Sequence, residues 1–228
     1  RCSSLENIII PNSVSNIGDW AFESCTSLKT VSLPNSIKSV GKNAFQYCIN
    51  LSEINIPDSV VNIGDYAFAG CLELHEVIIE DGVETIGNNA FRGAVSLTEV
   101  EIPKTVYGIG VGAFYDCKSL EKIDLPDNLD YIDEGAFIYC KSLKTISIPE
   151  SMMAINKRTF DSCYALESVD LPSNLIMIDE LAFNECRSLA KIDIPKSVSV
   201  INRMAFGSCE SLENITLPDG VTVLSTDV

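Results

Sequence analysis

The sequence predicts a repeat solenoid, a right-handed stack of short coils with a parallel β-sheet along one face, and three observations predict it. Every Phe stands 23 residues from the next, from Phe22 through Phe45, Phe68, Phe91, Phe114, Phe137, Phe160 and Phe183 to Phe206. Leu5, Leu28, Leu51 and their successors to Leu212 keep the same step, as do the nine Cys from Cys2 to Cys209, with Ala94 in the one place where Cys is missing. Every Pro is also in register, from Pro11 to Pro218, with Glu80 as the single replacement. Self-similarity at a period of 20–50 residues marks an array whose units bury their apolar faces only against one another. Residues 1–228 read as a single array of about ten coils. It opens in mid-repeat at Arg1-Cys2-Ser3-Ser4-Leu5 and stops after the turn at Pro218-Asp219-Gly220. Neither end has the polar outer face of a terminal cap, so the chain reads as a piece of a longer protein.

The coil from Leu28 to Leu51 serves for all. Leu28-x-x-Val31-x-Leu33 is the leucine-rich-repeat strand pattern, with alternate residues turned inward. Pro34 ends the strand, because it lacks an N–H and fixes its own φ, and Asn35-Ser36 complete a turn. Ile37-x-x-Val40 follows as a short second strand with both apolar residues inward. Gly41 belongs to the series Gly18, Gly41, Gly64, Gly87, Gly110, Asp133, Asn156, Asp179 and Asn202. Gly, Asn and Asp tolerate positive φ, so a left-handed turn is expected there in every coil. Ala44-Phe45-x-x-Cys48-x-x-Leu51 is expected to close the coil as a short helical or 3₁₀ turn with its apolar residues on one side.

The cysteines fall three residues after each Phe and three before each Leu, on the inward side of that turn. Cys packs as a small hydrophobe, and Ala94 in its place argues for volume rather than sulfur chemistry. Buried free thiols are the leading reading. Coils ~5 Å apart also leave disulfides open, while metal ligation would need clustered rather than laddered ligands.

A net charge of −16 and a pI near 4.3 argue against nucleic acid as a partner, whose phosphates would be repelled. No apolar run reaches the ~18 residues of a membrane span, and no cofactor motif is present.

The 23-residue unit, with its Pro-Asn/Asp-Ser turn, Val-x-x-Ile-Gly and Ala-Phe-x-x-Cys-x-x-Leu as in Asn35 to Leu51, resembles the BspA-like class of leucine-rich repeats over essentially the whole chain. That resemblance implies a cell-surface or secreted protein engaged in adhesion or host binding. It supplies no motif of functional residues.

Binding residues are sought on the outward side of the strands. One outward position reads Ile9, Ser32, Asn55, Ile78, Glu101, Asp124, Ser147, Asp170, Asp193, Thr216, and that two residues earlier reads Asn7, Thr30, Glu53, Glu76, Glu99, Lys122, Thr145, Ser168, Lys191, Asn214. Glu53, Glu76, Glu99, Glu101 and Asp124 are expected to form one acidic patch, with Asp170 and Asp193 further along. Three readings stay open: a face kept soluble by like charge, a contact surface for a basic protein partner, or weak Ca²⁺ binding. Lys118, Lys141 and Arg187 share the position after Cys with Ile49, Leu72 and Val95, which suggests a basic edge beside an apolar one. Catalysis has little material: His75, the only His, stands next to Glu76, and no nucleophile–base–orienter set recurs. Trp20 and Tyr66 share a place on the outer turns, and Asn50-Leu51-Ser52 and Asn214-Ile215-Thr216 are glycosylation sequons. The expected function is a non-enzymatic binding module for a protein or host-surface partner; a spacer that presents other domains is the alternative.

Overall fold

The computed structural model describes residues 2–227. One face carries eight strands, one per coil: Asn7–Ile9, Thr30–Ser32, Glu53–Ile56, Glu76–Ile79, Glu99–Glu101, Lys122–Asp124, Thr145–Ser147 and Ser168–Asp170. They pair in parallel, two by two, always with the residue 23 positions on: Asn7 with Thr30, Glu53 with Glu76, Glu99 with Lys122, Thr145 with Ser168. A second face carries two-residue strands. Six of them, from Asn16–Ile17 to Tyr131–Ile132, form one sheet, and four, from Ala154–Ile155 to Val223–Leu224, form another.

The inward residues of both faces meet a column of phenylalanines. Phe45, Phe68, Phe91, Phe114, Phe137, Phe160 and Phe183 are fully buried. Successive rings from Phe22 to Phe206 lie nearly parallel with centroids 5.1–5.6 Å apart. That distance is the stacking step of the solenoid. Each buried ring contributes on the order of 1.5–3 kcal/mol by leaving water. No single coil could bury one alone, so the stack is what makes each coil stable.

The third side of the coil differs from the sequence expectation in two respects. Among the described residues it holds no helix, only consecutive turns: Ala44 N–H donates to Gly41 O, Gln46 N–H to Asn43 O, and Cys48 N–H to Phe45 O. The N–H groups between them point to the next coil, where Asn43, Phe45 and Tyr47 donate to Asp65 O, Ala67 O and Ala69 O at 2.8 Å each. A helix cannot run through this stretch because Asn43 and Tyr47 have φ of +57° and +59°.

Positive φ therefore falls two and six residues after Gly41, not at Gly41. The first place is held by Trp20, Asn43, Tyr66, Asn89, Gly112, Gly135, Arg158, Leu181 and Met204, and the second by residues such as Ser24, Tyr47, Gly70 and Gly93. The glycines at 41, 64 and 87 answer a different need. A Cβ there would stand 2.6–2.7 Å from the backbone of the preceding coil. From Asn156 onward the same position carries side chains that bond to the preceding coil, such as Asn156 Nδ2 to Ile132 O at 2.7 Å and Asn202 Nδ2 to Asp179 Oδ1 at 2.6 Å.

The cysteines point inward as expected. Cys25 through Cys186 are buried free thiols, Cys209 is half-buried and Cys2 exposed. Each Sγ from Cys48 on donates to the carbonyl of the Phe 26 residues earlier, at 3.2–3.3 Å. Burial pushes the Cys48 thiol up to about 12 and Cys209 to about 11, and raises Cys71, Cys140 and Cys186 well above the ordinary range.

Candidate acidic strand face

A strand exposes alternate residues, and here the exposed ones share the face opposite the Phe column. Glu53, Glu76, Glu99, Glu101, Asp124, Asp170 and Asp193 are all exposed. Pairing sets Glu53 beside Glu76, Glu101 beside Asp124, and Glu99 beside Lys122. Asp170 lies opposite Ser147, away from the other acids, and Asp193 sits in 191–194, which forms no ladder.

The face is less uniformly negative than a count of its acids suggests. Lys122 is ion-paired with Asp124 two residues on, and Lys191 with Asp193 at 2.8 Å. Donating a hydrogen bond to Asp124 holds the Lys122 ammonium above its usual pKa, and the charges of Asp124, Glu99 and Glu101 add to it. The Lys-x-Asp spacing places both groups on one side of a strand, a signal available in the sequence. Glu53, Glu76, Glu99 and Glu101 make no ion pair within 4 Å among the described residues.

The strand face is hollowed. An open groove of about 1240 Å³ runs from His75 to Asn128, with Glu76, Glu99, Glu101 and Asp124 on its walls and the half-exposed Ile78 among them. A smaller hollow of about 370 Å³ continues past Asp124 to Glu150 and Asp170. Asp81, Asp127 and Glu150 extend the acidic rim and were not picked out from the sequence. All three follow the strand-ending position held by Pro in nearly every coil, and this placement beside the strand face was the available signal. Glu80, which stands where Pro is expected, accepts from Asn55 Nδ2 at 2.9 Å and from Asp58 N–H at 3.1 Å.

The remaining candidates are occupied within the fold or isolated. Lys118 pairs with Asp116, while Lys141 sits over Tyr139 and Tyr164 and Arg187 over Tyr164, so the basic edge is largely engaged internally. Ile49 and Val95 are half-buried and Leu72 is 42% exposed. His75 is exposed, with Nδ1 3.1 Å from Glu73 O. Asn50 Nδ2 donates to Thr26 O at 2.7 Å. Among the described residues no group of three or more His, Cys, Asp and Glu could hold a metal ion, and no helix is long and apolar enough to cross a membrane.

Parallel strands at a 23-residue step over a ladder of Leu, Phe and Cys define a leucine-rich-repeat protein. The chain belongs to the family of the BspA type leucine rich repeat region, which it matches in six copies over residues 1–121 and 108–228. Among solved structures it is similar to a leucine-rich repeat protein from Bacteroides ovatus, at 27% identity over 98% of this chain and 76% of that one, with a TM-score of 0.53. A leucine rich cell surface protein from Faecalibacterium prausnitzii is 29% identical over 97% of this chain and 76% of that one, with a TM-score of 0.54. A leucine-rich repeat protein from Eubacterium ventriosum superposes with a TM-score of 0.74 at 25% identity, over 96% of this chain and 62% of that one. No curated protein matches the chain. Such repeats are in general scaffolds for protein interaction rather than enzymes.

Proposed function

We propose that this chain is a non-enzymatic adhesion or binding module of a cell-surface or secreted protein, and that its strand face takes a basic segment of a protein or host-surface partner. The observation that carries this reading is the open acidic groove across Glu76, Glu99, Glu101 and Asp124, in which three carboxylates have no ion pair. Carboxylates lining a concave surface focus potential and draw a cationic partner in. The cell-surface description of the Faecalibacterium relative supports the location. A spacer is the second reading, favoured by the unbroken Phe column.

The test is binding to host cells and extracellular-matrix proteins at low and physiological salt. It compares the native chain with a variant carrying Glu53→Lys, Glu76→Lys, Glu99→Lys, Glu101→Lys and Asp124→Lys. All five side chains are exposed, so the circular dichroism of the variant is expected to be unchanged. Saturable binding that weakens at least tenfold in the variant, and falls as salt rises, supports the acidic face. Equal affinity of the two proteins sinks it, and no binding by either leaves the spacer reading in front.

A further inference from the structure

The nine junctions between consecutive coils of the second face are not equivalent. At eight of them two backbone bonds recur, between 2.7 and 3.1 Å. One is donated by the residue before the two-residue strand, as in Asp130 N–H to Tyr107 O and Ile176 N–H to Met153 O. The other is donated by the residue after it, as in Asp133 N–H to Ile109 O and Asp179 N–H to Ile155 O. The exception is the junction between the coil that begins at Leu120 and the one that begins at Leu143. There, among the described residues, neither Met153 N–H nor Asn156 N–H makes the corresponding bond, and the side chain of Asn156 reaches Ile132 O instead, at 2.7 Å. Tyr131–Ile132 and Ala154–Ile155 form no ladder and approach one another less than any other consecutive pair on this face.

The strand face is interrupted at the same junction. Lys122–Asp124 and Thr145–Ser147 do not pair, and the bond from Lys144 N–H to Glu121 O is stretched to 3.5 Å. Elsewhere in the array a gap in the strand ladder is always backed by a continuous second sheet. Here both are broken together. Only the third side keeps its backbone bonds, with Gly135 N–H to Lys157 O, Phe137 N–H to Thr159 O and Tyr139 N–H to Asp161 O at 2.9–3.0 Å, and with the Phe137 and Phe160 rings stacked at 5.5 Å; the other two sides are bridged by side chains, Ser151 Oγ to Leu129 O at 2.6 Å and Lys144 Nζ to Glu121 at 2.7 Å. Tyr131 lays its ring over Gly108, where any Cβ would lie about 2 Å from the ring, and so leans back toward its own half.

We infer that the array is jointed at this junction: the two halves bend relative to one another about the turn edge, which acts as the pivot. Backbone bonds on two of three sides resist bending at every other junction, and the interior is otherwise close-packed. The smaller hollow of the strand face straddles the joint, with Lys122 and Asp124 on one half and Thr145, Glu150 and Asp170 on the other. Bending therefore changes how far Asp170 stands from Asp124 and Glu101, which adjusts the acidic surface without disturbing either half.

Two measurements test the joint, and neither depends on a ligand. In native hydrogen exchange the amides of Met153 and Asn156 are expected to exchange at least tenfold faster than those of Ile176 and Asp179, or of Asp130 and Asp133. Equal protection would overturn the inference. Electron–electron spin distances compare two label pairs, each four coils apart, in a Cys2→Ser, Cys209→Ala background whose other thiols are buried. Glu84→Cys with Ile176→Cys crosses the joint, and Lys38→Cys with Asp130→Cys does not. A distance distribution at least twice as broad across the joint supports bending; equal widths reject it, whatever the outcome of any binding assay.

Discussion

At the scale of single residues the unusual feature is the regularity with which bulky side chains sit at positive φ. Trp20, Tyr66, Arg158, Leu181 and Met204 adopt φ of 52–59° at the same place in five of the coils. A left-handed conformation costs an ordinary residue roughly 1–2 kcal/mol. It persists because the N–H at that position donates across to the next coil, as Tyr66 does to Asn88 O at 2.8 Å, so relaxing φ would break the stack. Where the side chain adds little packing, the conformational cost is recoverable. Ser208 is exposed with φ of +56°. Ser208→Gly is expected to stabilise the protein by about 0.5–1 kcal/mol in urea unfolding, the gain at positive φ being partly offset by a more flexible unfolded chain. The location of these residues was not legible in the sequence. A recurring Gly reports either positive φ or close backbone approach, and at Gly41, Gly64 and Gly87 the second applies. Large residues such as Trp20 and Tyr66 then hide the true left-handed position.

At the scale of the element, ladders of side chains one coil apart decide how neighbouring turns hold together. In the N-terminal half these are hydrogen-bonded polar pairs, such as Ser39 to Asn16 and Thr85 to Asn62. In the C-terminal half the position after the Gly/Asp/Asn series alternates in charge as Glu134, Lys157, Glu180 and Arg203. Glu180 takes Lys157 at 2.9 Å and Arg203 at 2.6 Å, which ties three coils through one carboxylate. The hydrogen bonds from Arg203 and Lys157 lower its pKa from 4.5 to about 2. A carboxyl whose folded pKa is depressed stabilises the fold above its unfolded value and loses that contribution as pH falls through the folded one. The melting temperature is therefore expected to carry a Glu180-dependent decline between about pH 4.5 and 2, checked by thermal scans of the native chain and Glu180→Gln. If both scans decline in parallel over that interval, the carboxylate is not the link.

At the scale of the whole molecule, the 23-residue register made the coil, its inward residues and the exposure of all seven candidate acids legible, because each position is written eight to ten times. Three things were not. The turn edge read as helical because Ala, Phe, Cys and Leu at threes fit a helix and a chain of turns equally well. The partial neutralisation of the acidic face by Lys122 and Lys191 lay in a two-residue spacing within the strand, not in the 23-residue comparison between strands. The joint near Asn156 is a loss of backbone bonds, which carries no residue signature of its own. The acidic groove joins residues of several coils, so its depth follows from how the coils stack rather than from any one of them.

The stacked rings have a consequence for the length of such a chain. Because Phe45 meets Phe68 in the same geometry in which Phe68 meets Phe91, removing one whole unit replaces each lost contact with another of the same kind. Deletion of residues 51–73 joins Asn50 to Leu74 in register, and is expected to give a folded protein shorter by one stacking step, 5.1–5.6 Å, with unchanged ellipticity per residue. Deletion of 51–72, one residue fewer, leaves Glu73 as an extra residue in that one coil and is expected to melt at a lower temperature than the in-register deletion, because the turn must bulge for Leu74 to regain its place. Genes of this kind can thus gain or lose units by unequal recombination with little effect on the fold, provided that the exchange occurs in multiples of the repeat.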